Sequence, residues 1–140
     1  MLNLGEDLCE ILKFINFMAK KILLIEDEKI LGEMYTTKLE KEGFSVERVV
    51  DAENGIELAK TSKPDLILLD LLLPKMSGSE ALYVLKENPE TKDIKVIIFT
   101  NYDTPEVRSQ TEKLDTRFIL KANVATCQLM DIIREEIGRE

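Results

Sequence analysis

Apolar residues along this chain follow two alternating rhythms. Ile22–Ile25, Leu66–Leu69 and Val96–Phe99 are short unbroken apolar runs bounded by charged or turn-forming residues. Runs of that length predict strands covered on both faces, as in a parallel sheet. Between them apolar residues recur at helical spacing, at Ile30, Leu31, Met34, Tyr35 and Leu39, and again at Ala81, Leu82, Val84 and Leu85. That spacing puts each set on the inward face of a helix. Phe44–Val50 alternates in a strand-like way. Punctuation supports the boundaries. Gly43 sits where a helix would close just past its last turn. The helix over Asn54–Ser62 stops before Pro64, because the residue ahead of a proline is pushed out of the helical region. A third helix runs from about Ser79 to Asn88. Pro105 opens another, reaching about Leu114, as its missing N–H costs nothing in the first turn. Phe118–Leu120 is the last strand, and Thr126 is placed to cap a closing helix that reaches about Gly138.

The result is five strand–helix units with short connections. It predicts an α/β fold: a five-stranded parallel sheet with helices on both faces and right-handed crossovers. The 140 residues suit one domain with a single full-sized core. The domain is expected over residues 20–140, with residues 1–19 as an N-terminal extension. In that extension Leu4, Leu8, Ile11, Leu12, Ile15 and Met18 fall at helical spacing. Three readings stay open: an amphipathic helix docking on this domain or on a second copy, a tail, or a functional start at Met18.

Composition narrows the function. A net charge of -8 argues against direct binding of nucleic acid or of an anionic membrane surface. The chain has no histidine, which removes histidine bases, triads and metal ligands. Cys9 and Cys127 are too few and too far apart for a disulfide framework or a cysteine zinc site. No apolar run approaches the roughly 20 residues of a membrane span, and the acidic N-terminus does not read as a signal peptide. A cytoplasmic location is the expectation.

Chemistry gathers where strands end. Four of the five runs stop at a polar group: Glu26 and Asp27, Asp70, Thr100 and Lys121. In an open parallel sheet the crevice outside the carboxyl ends of the strands is the ligand site. Each residue alone has a plainer reading; Glu26-Asp27-Glu28, for example, suits the N-terminus of a helix. Together, three carboxylates repel one another unless a cation or a proton intervenes. Oxygen ligands of this kind suit Mg2+, which accepts one or two carboxylates and keeps room for water and phosphate oxygens. Lys121 and the Thr100 hydroxyl add a charge and a donor that suit a phosphoryl group.

The set Glu26-Asp27, Asp70 followed by Pro74 and Gly78, Thr100 and Lys121 resembles the receiver domain of two-component response regulators, in a stand-alone, chemotaxis-regulator-like form. The match runs over about residues 20–138. It implies a flavodoxin-like doubly wound (βα)5 fold with strand order 2-1-3-4-5. It implies that Asp70 is the phosphoacceptor, that Asp27 binds Mg2+ directly with Glu26 assisting through water, and that the Leu72 main-chain carbonyl is a further ligand. Thr100 and Lys121 would contact the phosphoryl oxygens. Thr100 and Phe118 would form the switch, with Phe118 turning in as Thr100 is drawn toward the phosphoryl group. The domain would be a signalling module rather than an enzyme. Its phosphoryl donor would be a sensor histidine kinase or a phosphotransfer protein. A downstream protein would read the face formed by the 105–114 helix, the Phe118 strand and the 126–138 helix. A homodimer is left open.

Several positions depart from the family pattern. Glu26 stands where aspartate is commoner. Ala122 follows Lys121 where a proline after a cis bond is usual, so a trans bond is expected, since a non-proline cis bond costs about 2.5–4 kcal/mol. Phe118 lacks the hydroxyl of the commoner tyrosine. Asn101 replaces a small residue and is expected to narrow access to Asp70. Leu72 and Tyr102 are bulky and are expected to shield an acyl phosphate from water. The alternatives are a pseudo-receiver that binds partners without phosphorylation, an aspartyl-nucleophile hydrolase, and a flavin-binding module. The hydrolase needs a second acid at position 72, which is leucine. The flavin module needs a Ser/Thr/Gly-rich loop after the first strand, which is missing.

Overall fold

The computed structural model describes residues 5, 7–12 and 20–139. Five parallel strands, β1 (Lys21–Ile25), β2 (Ser45–Val49), β3 (Leu66–Leu69), β4 (Lys95–Thr100) and β5 (Arg117–Leu120), pair in the order β2-β1-β3-β4-β5. The helices are α1 (Lys29–Lys41), α2 (Ala52–Ser62), α3 (Gly78–Glu87), α4 (Pro105–Lys113) and α5 (Thr126–Gly138), and a single 3-10 turn (Lys121–Asn123) follows β5. This is the order and topology that the apolar pattern and the family resemblance together imply.

Successive strand residues point to opposite faces, and the core divides accordingly. Leu23, Ile25, Ile67, Leu69 and Ile98 pack with α2, α3 and Val107 of α4. Ile22, Leu24, Leu66, Leu68, Ile97 and Phe99 pack instead with Tyr35 and Leu39 of α1 and with Leu129, Met130 and Ile133 of α5. Every side chain of β3 is fully buried. A strand that is apolar on both faces does not fix its own register by alternation. The charged residues at its ends do so, because a slip would draw Asp65 or Asp70 into the ladder at a cost of several kcal/mol. Asp65 is also anchored, its Oδ2 accepting from the Lys21 N–H at 2.7 Å.

Local signals act as expected at most boundaries. Gly43 adopts φ 97° just beyond α1, a conformation a side chain disfavours. Ser77 and Thr104 cap α3 and α4 through their side-chain oxygens. Two details are corrected. Thr126 is the first residue of α5 and not its cap; the cap is Ala125, whose N–H donates to Gln128 Oε1 at 2.8 Å. Val84 is 36% exposed, because the buried stripe of α3 runs through Gly78, Ala81, Leu82 and Leu85 and turns position 84 away from the sheet.

In the N-terminal extension residues 7–12 are helical, with Leu8, Ile11 and Leu12 each more than half exposed. The remainder of the expectation for residues 1–19, at 1–4, 6 and 13–19, lies outside the described residues. Among the described residues no helix is long and apolar enough to cross a membrane.

Candidate functional site

The strand ends converge. Asp70, the residue after β3, is 7% exposed and Glu26, the residue after β1, is 2% exposed. Asp27 lies in solvent beside them. One carboxylate oxygen from each of Glu26, Asp27 and Asp70 lies within 4.8 Å of the others. The main chain holds this arrangement. The Asp70 N–H donates to the Ile25 carbonyl and the Glu26 N–H to the Val49 carbonyl, both at 3.1 Å. Each acid is thus fixed by the ladder one step beyond the strand that carries it.

Both Asp70 oxygens are engaged. Oδ1 accepts from Thr100 Oγ1 at 2.6 Å and from the Leu72 N–H at 3.2 Å. Oδ2 accepts from Lys121 Nζ at 2.9 Å, and the same ammonium donates to Glu26 Oε2 at 2.7 Å. Below them Lys121 Nζ lies 5.5 Å from the centroid of the Phe99 ring, against which Tyr35 packs edge-on. One buried cation therefore faces two buried carboxylates, with a third at the rim.

That imbalance appears in the protonation behaviour. Burial is the main cause that pushes the Glu26 carboxyl up to about 7, with the neighbouring Asp70 adding to it and Lys121 opposing. Burial also works against the Asp70 charge, but hydrogen bonds with Glu26, Thr100 and Lys121 outweigh it and hold Asp70 below the ordinary carboxylate value. Lys121 loses solvation on burial, and its bonds to Glu26 and Asp70 more than offset that loss, raising it. A surplus of buried carboxylate charge beside an open, solvent-facing carboxylate is the donor set of a hard divalent cation, so the residues fit Mg2+.

Gly78 makes room for this geometry. A Cβ there would come within 2.2 Å of the Asp70 carbonyl oxygen and 2.5 Å of Leu71 Cα. Both are backbone atoms that cannot yield without moving the loop. Leu72 and Tyr102, 57% and 43% exposed, meet the site through their backbone N–H groups, which donate to Asp70 Oδ1 and Thr100 Oγ1, and they line one neighbouring open cleft of about 560 Å³. Asn101 makes a tie across the site. Its Oδ1 accepts from the Ala122 N–H at 2.9 Å, tying the loop after β4 to the turn after β5. A proline at 122 would offer no N–H, so the two departures from the family pattern answer each other. Among the described residues there is no cis peptide bond, Lys121–Ala122 included. Phe118 is partly buried against the core on the α2, α3 and α4 side of the sheet, and Arg108, forked onto Asp103, lies 3.9 Å over its ring.

The expected residues Glu26, Asp27, Asp70, Thr100 and Lys121 are therefore brought together, and Phe118 lies outside this contact network on the neighbouring strand. Asn101 has, in addition, a contact with the Ala122 N–H that the sequence did not announce. Arg48, whose guanidinium donates to the Glu26 carbonyl, carries no motif that would single it out in the sequence.

Residues 22–134 match the family described as the response regulator receiver domain. The DNA-binding dual master transcriptional regulator RpaA of Synechocystis sp. is 38% identical over 80 residues, covering 57% of this chain and 33% of that protein. The polar-differentiation response regulator DivK of Brucella anthropi is 32% identical over 85 residues, covering 61% of this chain and 69% of that protein. The chain thus spans about a third of the transcriptional regulators it matches. Among solved structures, a CheY-like response regulator receiver domain protein from Methanospirillum hungatei superposes with a TM-score of 0.76 at 28% identity, over 84% of this chain and 93% of that one. The BeF3-activated receiver domain of RstA from Klebsiella pneumoniae reaches a TM-score of 0.78 at 22% identity, over 86% and 100%, which speaks for the fold alone.

Proposed function

This chain belongs to the response regulator receiver domain family, a family of phosphoacceptor signalling domains, and we propose that it takes a phosphoryl group on Asp70 in a Mg2+-dependent reaction. The observation that carries the reading is the state of Asp70. It is a buried carboxylate held ionised by Lys121 and Thr100, with two further acids within reach. A carboxylate oxygen of Asp70 attacks phosphorus while the bond from phosphorus to the donor breaks. That donor is the ring nitrogen of a phosphohistidine or the carboxyl oxygen of an acyl phosphate, and the bonding electron pair leaves with it. Asp27, Asp70 and the Leu72 carbonyl, with Glu26 assisting, would hold Mg2+, which would supply charge neutralisation for the transferring group. Lys121 then exchanges its bond to Asp70 Oδ2 for a phosphoryl oxygen, and the Thr100 hydroxyl does the same from Oδ1. Drawing Thr100 inward opens space beside β4 for Phe118, and the phosphoryl charge of roughly -2, in place of the single carboxylate charge, makes that change persistent.

The phosphoryl donor is a sensor histidine kinase or a phosphotransfer protein. The state is read by a protein that binds α4, β5 and α5. Leu72 and Tyr102 shield the acyl phosphate, so its loss is slow.

The test is direct. Incubation with Mg2+ and acetyl phosphate should add one phosphoryl mass, and Asp70→Asn or chelation should abolish it. No adduct, or one that survives Asp70→Asn, leaves the domain a partner-binding pseudo-receiver. A phosphoryl half-life of seconds would remove the shielding role of Leu72 and Tyr102.

A further inference from the structure

The buried stripe of α1 reads Gly32, Tyr35, Leu39. Tyr35 and Leu39 fill the groove over the sheet, but Gly32 brings no side chain to the turn nearest the acidic pocket. The vacancy is filled from the edge strand. Arg48 on β2 shares its face with Val46, which packs toward α1, and its guanidinium lies against the Gly32 backbone. A Cβ on residue 32 would fall 2.0 Å from Arg48 Nε and 2.4 Å from its Cζ. The contact is therefore possible only with glycine.

What the guanidinium does there is specific. β1 ends at Ile25, so the Glu26 carbonyl has left the ladder; Arg48 Nε donates to it at 3.2 Å. The Glu26 N–H is already bound to the Val49 carbonyl. Consecutive residues of β2 thus grip both polar groups of the one main-chain residue that precedes Asp27. An apolar side chain would fill the same space as well, yet a cation is placed there with its Nη2 buried and without a hydrogen-bond partner. Burying that donor costs free energy, and the return on it is the fixed carbonyl.

We infer that Arg48 is a positioning residue for the cation site: by clamping the Glu26 carbonyl across Gly32, it orients the Glu26–Asp27 peptide and aims the Asp27 carboxylate toward Asp70. The inference rests on the reading of Glu26, Asp27 and Asp70 as a Mg2+ site. Outer partners of this kind, which orient ligands without touching the ion, are worth 10–100-fold in metal affinity elsewhere.

Calorimetric titration of the unphosphorylated chain with Mg2+ tests it. Arg48→Ala should weaken binding roughly 10-fold while leaving phosphorylation at saturating Mg2+ within about twofold of the wild type. Arg48→Lys, which keeps a cationic donor, should recover most of the affinity. Gly32→Ala, which drives the guanidinium off without removing it, should weaken binding in the same direction. Should Arg48→Ala fail to fold, the Gly32→Ala titration decides the question. A variant that melts earlier yet binds Mg2+ like the wild type would overturn the inference and leave Arg48 as filler. A wild-type chain that takes up no Mg2+ would overturn the cation site itself, and the inference with it.

Discussion

The two sides of the Asp70 carboxylate are built differently. Toward β1 and β2 the acids are held at the main chain: Asp70 N–H to the Ile25 carbonyl and Glu26 N–H to the Val49 carbonyl, with the Arg48 side chain as the one addition, donating to the Glu26 carbonyl. Toward β4 and β5 the ties run through side chains on loops and strand ends: Thr100 Oγ1, Lys121 Nζ, Asn101 to Ala122, and Asp103 to Arg108. Ladder bonds move only with the sheet, whereas side-chain ties exchange partners by rotamer changes. The first side is suited to holding a constant charge arrangement. The second is suited to answering a change in it.

The strongest challenge to this contrast is Lys121→Met. It leaves Glu26 and Asp70 buried without their cation, so the metal-free protein should lose about 3–5 kcal/mol at pH 8. The loss should shrink at pH 5, where Glu26 carries a proton. Urea unfolding at the two pH values measures the difference, and an equal loss at both would break the assignment. Gly78→Ala tests the rigid side. Its Cβ meets the Asp70 carbonyl and Leu71 Cα, so unfolding should become easier by more than about 2 kcal/mol. If stability is unchanged, the loop beneath Asp70 is softer than the ladder bonds imply.

A smaller effect follows from pH. Glu26 titrates near 4.5 in an unfolded chain and near about 7 in the metal-free fold. Between these values the folded protein keeps a proton that the unfolded chain has released. The Glu26 contribution to stability is therefore full below about 4.5 and lost as pH rises through about 7. Asp70, held low, acts in the opposite sense, and its contribution is lost as pH falls through its depressed value. Denaturant midpoints in EDTA should show the downward slope toward neutrality in the wild type, and Glu26→Gln should flatten it. The smallest effect belongs to the adjustable side. Asn101→Ala removes one exposed hydrogen bond and should cost no more than about 1 kcal/mol. It should speed amide exchange at Ala122 while leaving Mg2+ affinity unchanged. A shift in that affinity would mean that the two sides are not separable.

The strand ends were legible in the sequence for a physical reason. A strand buried on both faces is an unbroken apolar run, so the first polar residue after it marks both the end of the strand and the mouth of the crevice; Asp70 after Leu66–Leu69 is the clearest case. The family resemblance added roles to those positions. Other features left no trace. The Ala122 N–H that meets Asn101 belongs to every non-proline residue. Arg48 and Gly32 lie on different elements and gain meaning only when the edge strand is laid against α1. Thr126 looked like a cap because its residue type is right, but the chain enters α5 one residue earlier and uses Gln128 instead.

The Glu26 carboxyl has a consequence for the thermodynamics of loading. A carboxyl pushed up to about 7 by burial is partly protonated at neutral pH, so an ion taken up among the three acids would displace that proton into the solvent. On the proposed reading, cation uptake would be coupled to proton release. The heat of Mg2+ uptake at neutral pH should vary with the ionisation enthalpy of the buffer, and its slope should count the proton that leaves.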